Sequence, residues 1–267
     1  MQVSPNKHRL TIKAGRDFTN SGSVLKSGAD TLINVGRDIN IVATQTLDSG
    51  DGGMWKHTSN TTQSGSTVSA GRDVQMNAGR DLNAIASVID AKRDIGLSAR
   101  EDMNLASAAD EDHSLAKSKK KTTQEDHVSQ VGTVVSAGAD IRLSAGNDMA
   151  LISSRVTAGD EAYLVAGDRL DVLAAQDSDY SLYDMKKKGS WGSKQTKHDE
   201  VTKVVNVGSE VKGGGAVALV SGGDQRYQAA KLESGEDLTL QSGGGINFEG
   251  VKDLDQENHS KSKSSLA

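Results

Sequence analysis

Two acid–histidine pairs are the first residues in the chain that could do chemistry. "DEDH" at 110–113 and "QEDH" at 124–127 place Asp112, His113, Asp126 and His127 so that the histidines fall 14 residues apart. On a hairpin these four could face one another and hold a divalent ion, because carboxylate oxygen and imidazole nitrogen are ordinary ligands for such metals. The double pair is not repeated elsewhere, and acid–histidine neighbours arise often by chance, so no metal and no cofactor is expected. Other chemistry is excluded more directly. The chain has no cysteine, which removes thiol nucleophiles, disulfides and thiolate metal sites. No serine sits in G-x-S-x-G, and "KKKGSWGSK" at 186–194 is not a phosphate loop. "SGGDQ" at 221–225 lacks the nonapeptide form of calcium-binding repeats.

A second set of residues suits contact rather than catalysis. Lys119, Lys120 and Lys121 form one basic run, and Lys186, Lys187 and Lys188 another. Trp55, Tyr180, Tyr183 and Trp191 are aromatic in a chain that is only 3% aromatic. Such groups anchor interfaces when loops present them, and lysine runs touch anionic lipid or lipopolysaccharide. Runs this short also serve simply as solvated surface.

These candidates lie in four polar stretches, at about 44–64, 107–131, 175–207 and 250–267, that interrupt a strict frame. Within the frame a small residue followed by glycine recurs at steps of 8, 13 and 8, in blocks starting at Asn6, Ala70, Ala137 and Gly213. Sixteen starts result; glycine follows in 13, and aspartate stands three residues after the start in 11. An inner period of 21 residues held this way marks a solenoid. Residues four and six after each start are apolar with a polar residue between, as in Val74 and Met76, Ile95 and Leu97, Ile141 and Leu143, Leu238 and Leu240. Alternation of period two gives a strand with one buried face. A third apolar series, including Leu25, Val68, Ile89, Val135 and Val211, supplies a third strand.

The fold class expected is therefore all-β: a parallel β-helix of about eight 21-residue, three-strand coils, forming a single segment over 1–267 with projecting loop or hairpin excursions. At about 4.8 Å per layer the rod is on the order of 40 Å long. The scarcity of rings implies a thin core of aliphatic and small residues. Glycine in A-G-x-D is read as serving a positive φ or a close backbone approach. Aspartate is read as bonding nearby N–H groups to fix the turn. Aspartates stacked layer on layer would repel; Arg16, Arg37, Arg72, Arg80 and Arg93 precede several of them and offset this. The excursions all leave at one corner and return through "GSTVSAG", "GTVVSAG" and "GSEVKGG", so they project from one side of the rod, as a solvated face or as a row of contact arms.

The net charge of −5 carries no nucleic-acid signature. No apolar run approaches the roughly 20 residues of a membrane helix, and no signal peptide leads the chain, so in an exported protein this stretch reads as an internal piece. Polysaccharide-active β-helices need clustered carboxylates on one face; here the carboxylates follow the turn frame, and no catalytic residue is expected. Open ends expose strand edges, which makes end-to-end self-association a hazard.

The A-G-x-D-L-x-L-x-A-x units, the S-x-V-x-A-G returns and the basic-serine excursions resemble the haemagglutinin repeats of filamentous haemagglutinin. They are equally similar to the second repeat region of contact-dependent growth inhibition exoproteins. The resemblance implies a right-handed β-helical filament exported from Gram-negative bacteria by a two-partner route, with an outer-membrane transporter as partner during secretion and a location at the cell surface. It further implies either toxin delivery, with contact to the target cell's outer membrane, or adhesion to surface glycans. A polysaccharide-active enzyme on the same architecture is the remaining alternative.

Overall fold

In the computed structural model the chain is described over residues 8–189 and 193–264. Three parallel sheets run its length. The first face carries eight strands, from Leu10–Ala14 to Leu238–Ser242; the second eight, from Phe18–Ser21 to Ile246–Glu249; the third seven, from Val24–Ser27 to Lys231–Ser234. Each strand pairs in parallel with its counterpart one coil away, so the architecture is a parallel β-helix.

The register follows the sequence frame. Val74, Ile95, Ile141, Ala162, Val217 and Leu238 are successive Cα partners in one column of the first face. Their side chains point inward, and Ile141 is wholly buried. Leu238, in the last described strand of that face, is 45% exposed because no further layer covers it. The core is aliphatic and small over most of its length, with polar residues inward at Asn20 and Thr31 and a larger departure toward the other end. Tyr227 and Gln225 occupy inward positions and are each 1% exposed. The Tyr227 hydroxyl donates to Gln225 Oε1 at 2.9 Å, the Gln225 amide donates to the Leu219 and Gln241 carbonyls, and the Tyr227 ring stacks on Phe248 at 4.8 Å. A buried polar pair is tolerable because its groups find partners.

The corner motif acts between layers. A Cβ on Gly71 would stand 2.2 Å from the Gly28 carbonyl oxygen in the coil below, so close approach, not a positive φ, requires the glycine. Its N–H donates to the Ser27 carbonyl at 3.0 Å. The aspartate three positions on bonds across layers rather than within its own turn. Asp17 Oδ1 accepts the Asp38 N–H at 3.3 Å, and Asp102 Oδ1 accepts the Asp148 N–H at 3.1 Å. Arginines relieve the stacked charge: Arg37 grips Asp17 at 2.7 and 2.6 Å, Arg72 grips Asp30, and Arg80 grips Asp38, each with two nitrogens on two oxygens. The Arg37 and Arg72 guanidiniums hold the Asp17 and Asp30 carboxyls below the ordinary range.

At the corner between the second and third faces a column of buried hydroxyls, Ser66, Ser87, Thr133, Ser154 and Ser209, binds the layers. Thr133 Oγ1 accepts the Ser87 N–H at 3.4 Å and lies 2.9 and 2.8 Å from the Ala84 and Ala106 carbonyl oxygens. Alternate coils pass this corner through one left-handed residue: Gly22, Ala86, Ser153 and Ala229, at φ of 57°, 47°, 47° and 47°. The coils between them insert an excursion there instead.

Candidate interaction surface

The excursions are strands. Thr44–Asp51 pairs with Lys56–Ser64, Ala108–Lys117 with Lys121–Val131, and Ala175–Lys188 with Lys194–Val207, each pair an antiparallel hairpin; Leu254–Ser264 adds a seventh strand. Of the loop or hairpin excursions expected, the structure has hairpins. Neighbouring hairpins also pair with each other, giving one continuous antiparallel sheet alongside the rod. The reason is dimensional. A hairpin is two strands wide, about 9.6 Å at the usual strand spacing, and two coils rise by the same amount. One hairpin inserted every second coil at one corner therefore meets its neighbours edge to edge.

The seams between hairpins share one clasp. The Gln63 N–H donates to Asp110 Oδ1 at 2.6 Å, the Gln130 N–H to Asp177 Oδ1 at 2.7 Å, and the Asn206 N–H to Asp253 Oδ1 at 2.8 Å. In each case the side-chain amide of the same residue reaches the carbonyl just before the aspartate, at 3.0, 3.1 and 3.0 Å. These six residues escaped sequence reasoning, although each pair is separated by the same 47 positions.

Histidine chemistry is concentrated in this sheet. His57 bonds Asp51 at 2.5 Å and His198 bonds Asp184 at 2.6 Å, each within one hairpin; His113 bonds Asp126 likewise. His127 bonds Asp179 and His259 bonds Asp199, each across a seam. All five pairs are direct cross-strand neighbours. The four residues that suggested a metal loop do not converge. Period-two alternation puts His113 and Asp126 on one side of the sheet and Asp112 and His127 on the other. Among the described residues no cluster of three or more metal ligands forms.

The contact candidates fall in two zones. Trp55 closes a short 3-10 turn, Gly53–Trp55, at the distal end of the first hairpin and is exposed. Lys119 and Lys120 lie in the exposed turn of the second hairpin, with Lys121 starting its return strand. Lys186, Lys187 and Lys188 end the outgoing strand of the third, exposed, and the Lys186 N–H donates to the Lys120 carbonyl at 2.8 Å. Two basic tips thus touch. Tyr180 and Tyr183 lie within the sheet and are partly buried. The Tyr180 hydroxyl donates to Glu200 at 3.0 Å, and burial with this bond raises its pKa. The Tyr183 ring carries Lys121 at 4.9 Å and Lys197 at 5.1 Å from its centre, the reach of cation–π attraction. Trp191 falls outside the described residues. In the second and third hairpins acidic residues lie near the rod, at Asp110, Asp112, Asp177 and Asp179, and the lysine runs lie at the far margin, whereas the first hairpin carries Asp51 at its distal end.

The architecture is a parallel β-helix solenoid bearing a lateral sheet of inserted hairpins. The hemagglutinin-repeat family matches residues 49–121 and 114–266, and the chain belongs to that family. It is a segment of a secreted bacterial surface exoprotein. It is similar to the tRNA nuclease CdiA of Escherichia coli strain STEC_O31, with 28% identity over 260 residues, 86% of this chain and 8% of that protein. It is also similar to the 16S rRNA endonuclease CdiA of Enterobacter cloacae subsp. cloacae, with 31% identity over 175 residues, 64% of this chain and 5% of that protein. The chain thus spans less than a tenth of the length of either relative. No solved structure matches the chain.

Proposed function

We propose that this segment is a non-enzymatic stalk whose hairpin sheet presents a basic margin to the anionic outer membrane of a target cell during toxin delivery between bacteria. The nuclease activities in the relatives' names belong to those proteins, and this segment matches under a tenth of each. The observation that carries the reading is the segregation of charge on the hairpins. On the second and third hairpins Asp110, Asp112, Asp177 and Asp179 lie toward the rod, while Lys119–Lys121 and Lys186–Lys188 stand together at the far margin with Trp55 on the same edge of the sheet. Each exposed lysine near an anionic surface contributes about 1 kcal/mol, so a row of tips on a rigid rod gains by acting together. Lys121 and Lys197 rest on Tyr183, which pre-orders part of that margin. An outer-membrane transporter would act on the full-length protein during secretion.

The test is co-sedimentation of the chain with bacterial outer-membrane vesicles, compared with vesicles of zwitterionic lipid. Replacing the six lysines by glutamine should lower binding to outer-membrane vesicles at least tenfold and flatten its salt dependence. Equal binding by the variant would overturn the reading, and saturable, salt-insensitive binding blocked by free sugar would favour a glycan adhesin instead.

A further inference from the structure

Five of the six histidines stand in this one sheet, each bonded to an aspartate directly across from it, and none of these five pairs lies in the rod. The distribution among the seams is uneven. The second and third hairpins are joined by His127–Asp179, and the third hairpin and final strand by His259–Asp199 at 3.1 Å. The first seam has no such pair. There the His57 and His113 rings meet edge-on with centres 6.2 Å apart, each bonded to an aspartate of its own hairpin.

We propose that the hairpin sheet is a proton-controlled latch: with His127 and His259 charged, the second, third and fourth excursions are locked into one sheet, and with them neutral, these two seams are left to backbone pairing and the amide–aspartate clasps. Hairpins that can part from one another, while staying rooted in an unchanged rod, would convert a closed sheet into separate contact arms.

The surroundings favour the charged ring. Around His127 stand Asp179 across the seam, Asp112 across its own hairpin, Asp177 diagonally, and Glu125 two residues before it on the same side of the sheet; Lys203, opposite Asp179 on the next strand, is the competing cation. The hydrogen bond to Asp179 raises the His127 pKa. His259 faces Asp199 and Glu257, with Lys197 bonded to the same Asp199 and Lys261 two residues along its strand. Its pKa is raised by the bonds to Glu257 and Asp199. For a histidine raised on folding, the stabilisation is fully present below the unfolded pKa of about 6.5. It is lost as pH rises through the folded value. The aspartates must stay ionised, so the latch is closed at mildly acidic pH and opens as pH rises through the raised histidine values.

The experiment is hydrogen exchange of the intact chain at pH 5.5 and 8.5, with rates corrected for the intrinsic pH effect. Amides of 121–131 and 175–183 should be roughly two- to five-fold better protected at pH 5.5, the range given by exposed ion pairs. The rod strand Ile95–Ala99 should not change. In His127→Asn this seam should lose its pH dependence while the His259 seam keeps it. His198→Asn, whose partner Asp184 lies on the same hairpin, should leave the His127 seam pH-dependent and shows that a substituted sheet still forms. Equal protection at both pH values, or an unaltered pH dependence in His127→Asn, would overturn the proposal.

Discussion

Gln130 and Asp177 are 47 residues apart in the chain and bonded at the seam between two hairpins: the Gln130 N–H meets Asp177 Oδ1 at 2.7 Å, and the Gln130 side chain reaches the Gln176 carbonyl at 3.1 Å. The same relationship recurs at Gln63–Asp110 and Asn206–Asp253. It ties each hairpin to the next near the rod, where the strands leave the corner. The hairpins consequently behave as one sheet whose pitch is set by the solenoid beneath.

Asp177→Ala should loosen this seam without unfolding the rod. The loss is one charge-assisted bond to a part-buried N–H, about 1–3 kcal/mol locally. Limited proteolysis should cut the variant within 121–131 or 175–188 faster than the parent chain, while the far-ultraviolet β signal stays the same.

Gly132→Ala should destabilise the rod. Its Cβ would stand 2.2 Å from the Ser153 carbonyl oxygen in the next coil, and backbone there has no room to withdraw. A loss of about 2 kcal/mol or more is expected, read as a lower denaturation midpoint. Gly250→Ala, which meets nothing within 4 Å, should leave the midpoint near that of the parent.

Thr133→Val removes a hydroxyl that serves the Ser87 N–H and the Ala84 and Ala106 carbonyls in a buried corner. Leaving the buried Ser87 N–H unpaired should cost about 1–3 kcal/mol. Thr133→Ser should recover most of that, because serine fills the same place at Ser66, Ser87, Ser154 and Ser209.

The arginine–aspartate stacks predict an acid limit. Asp17 and Asp30 are held below the ordinary carboxyl pKa by Arg37 and Arg72. Their contribution is present above the unfolded value of about 3.9 and is lost as pH falls through the folded one. Thermal melts from pH 6 to pH 2 should show the decline beginning near pH 4. Arg72→Gln should weaken the dependence, since Asp30 would then lose the hydrogen bond that lowers it most.

The rod was legible because its information is local and repeated. Val74 and Met76 alternate with polar neighbours, and the same offsets return at Ile95 and Leu97, so one frame predicts both the strands and their register. Tyr227 and Gln225 sit in that frame, yet their polar groups hid them; only the closed hydrogen-bond set shows why they can be buried. The hairpin sheet was harder to read because most of its residues remain at least partly exposed on both sides. Without a buried side the hydrophobic pattern does not specify a partner. His127 and Asp179 are 52 residues apart, and nothing along the chain announces that they meet. The acid–histidine repeats were visible, but the alternation of strand faces separates Asp112 from His113, so the four residues form cross-strand pairs on two sides of the sheet.

The pairing of hairpins into one sheet is tested most directly by a cross-seam bridge. Val128 and Ser178 are Cα partners on strands of different hairpins, and the chain has no cysteine of its own. In Val128→Cys/Ser178→Cys, mild oxidation should give nearly complete intramolecular bridging with the β signal unchanged, since cross-strand neighbours lie within the roughly 4.4–6.8 Å that a disulfide spans. Persistence of free thiols in the folded, oxidised chain would contradict the account, because separate arms would not hold those two positions together.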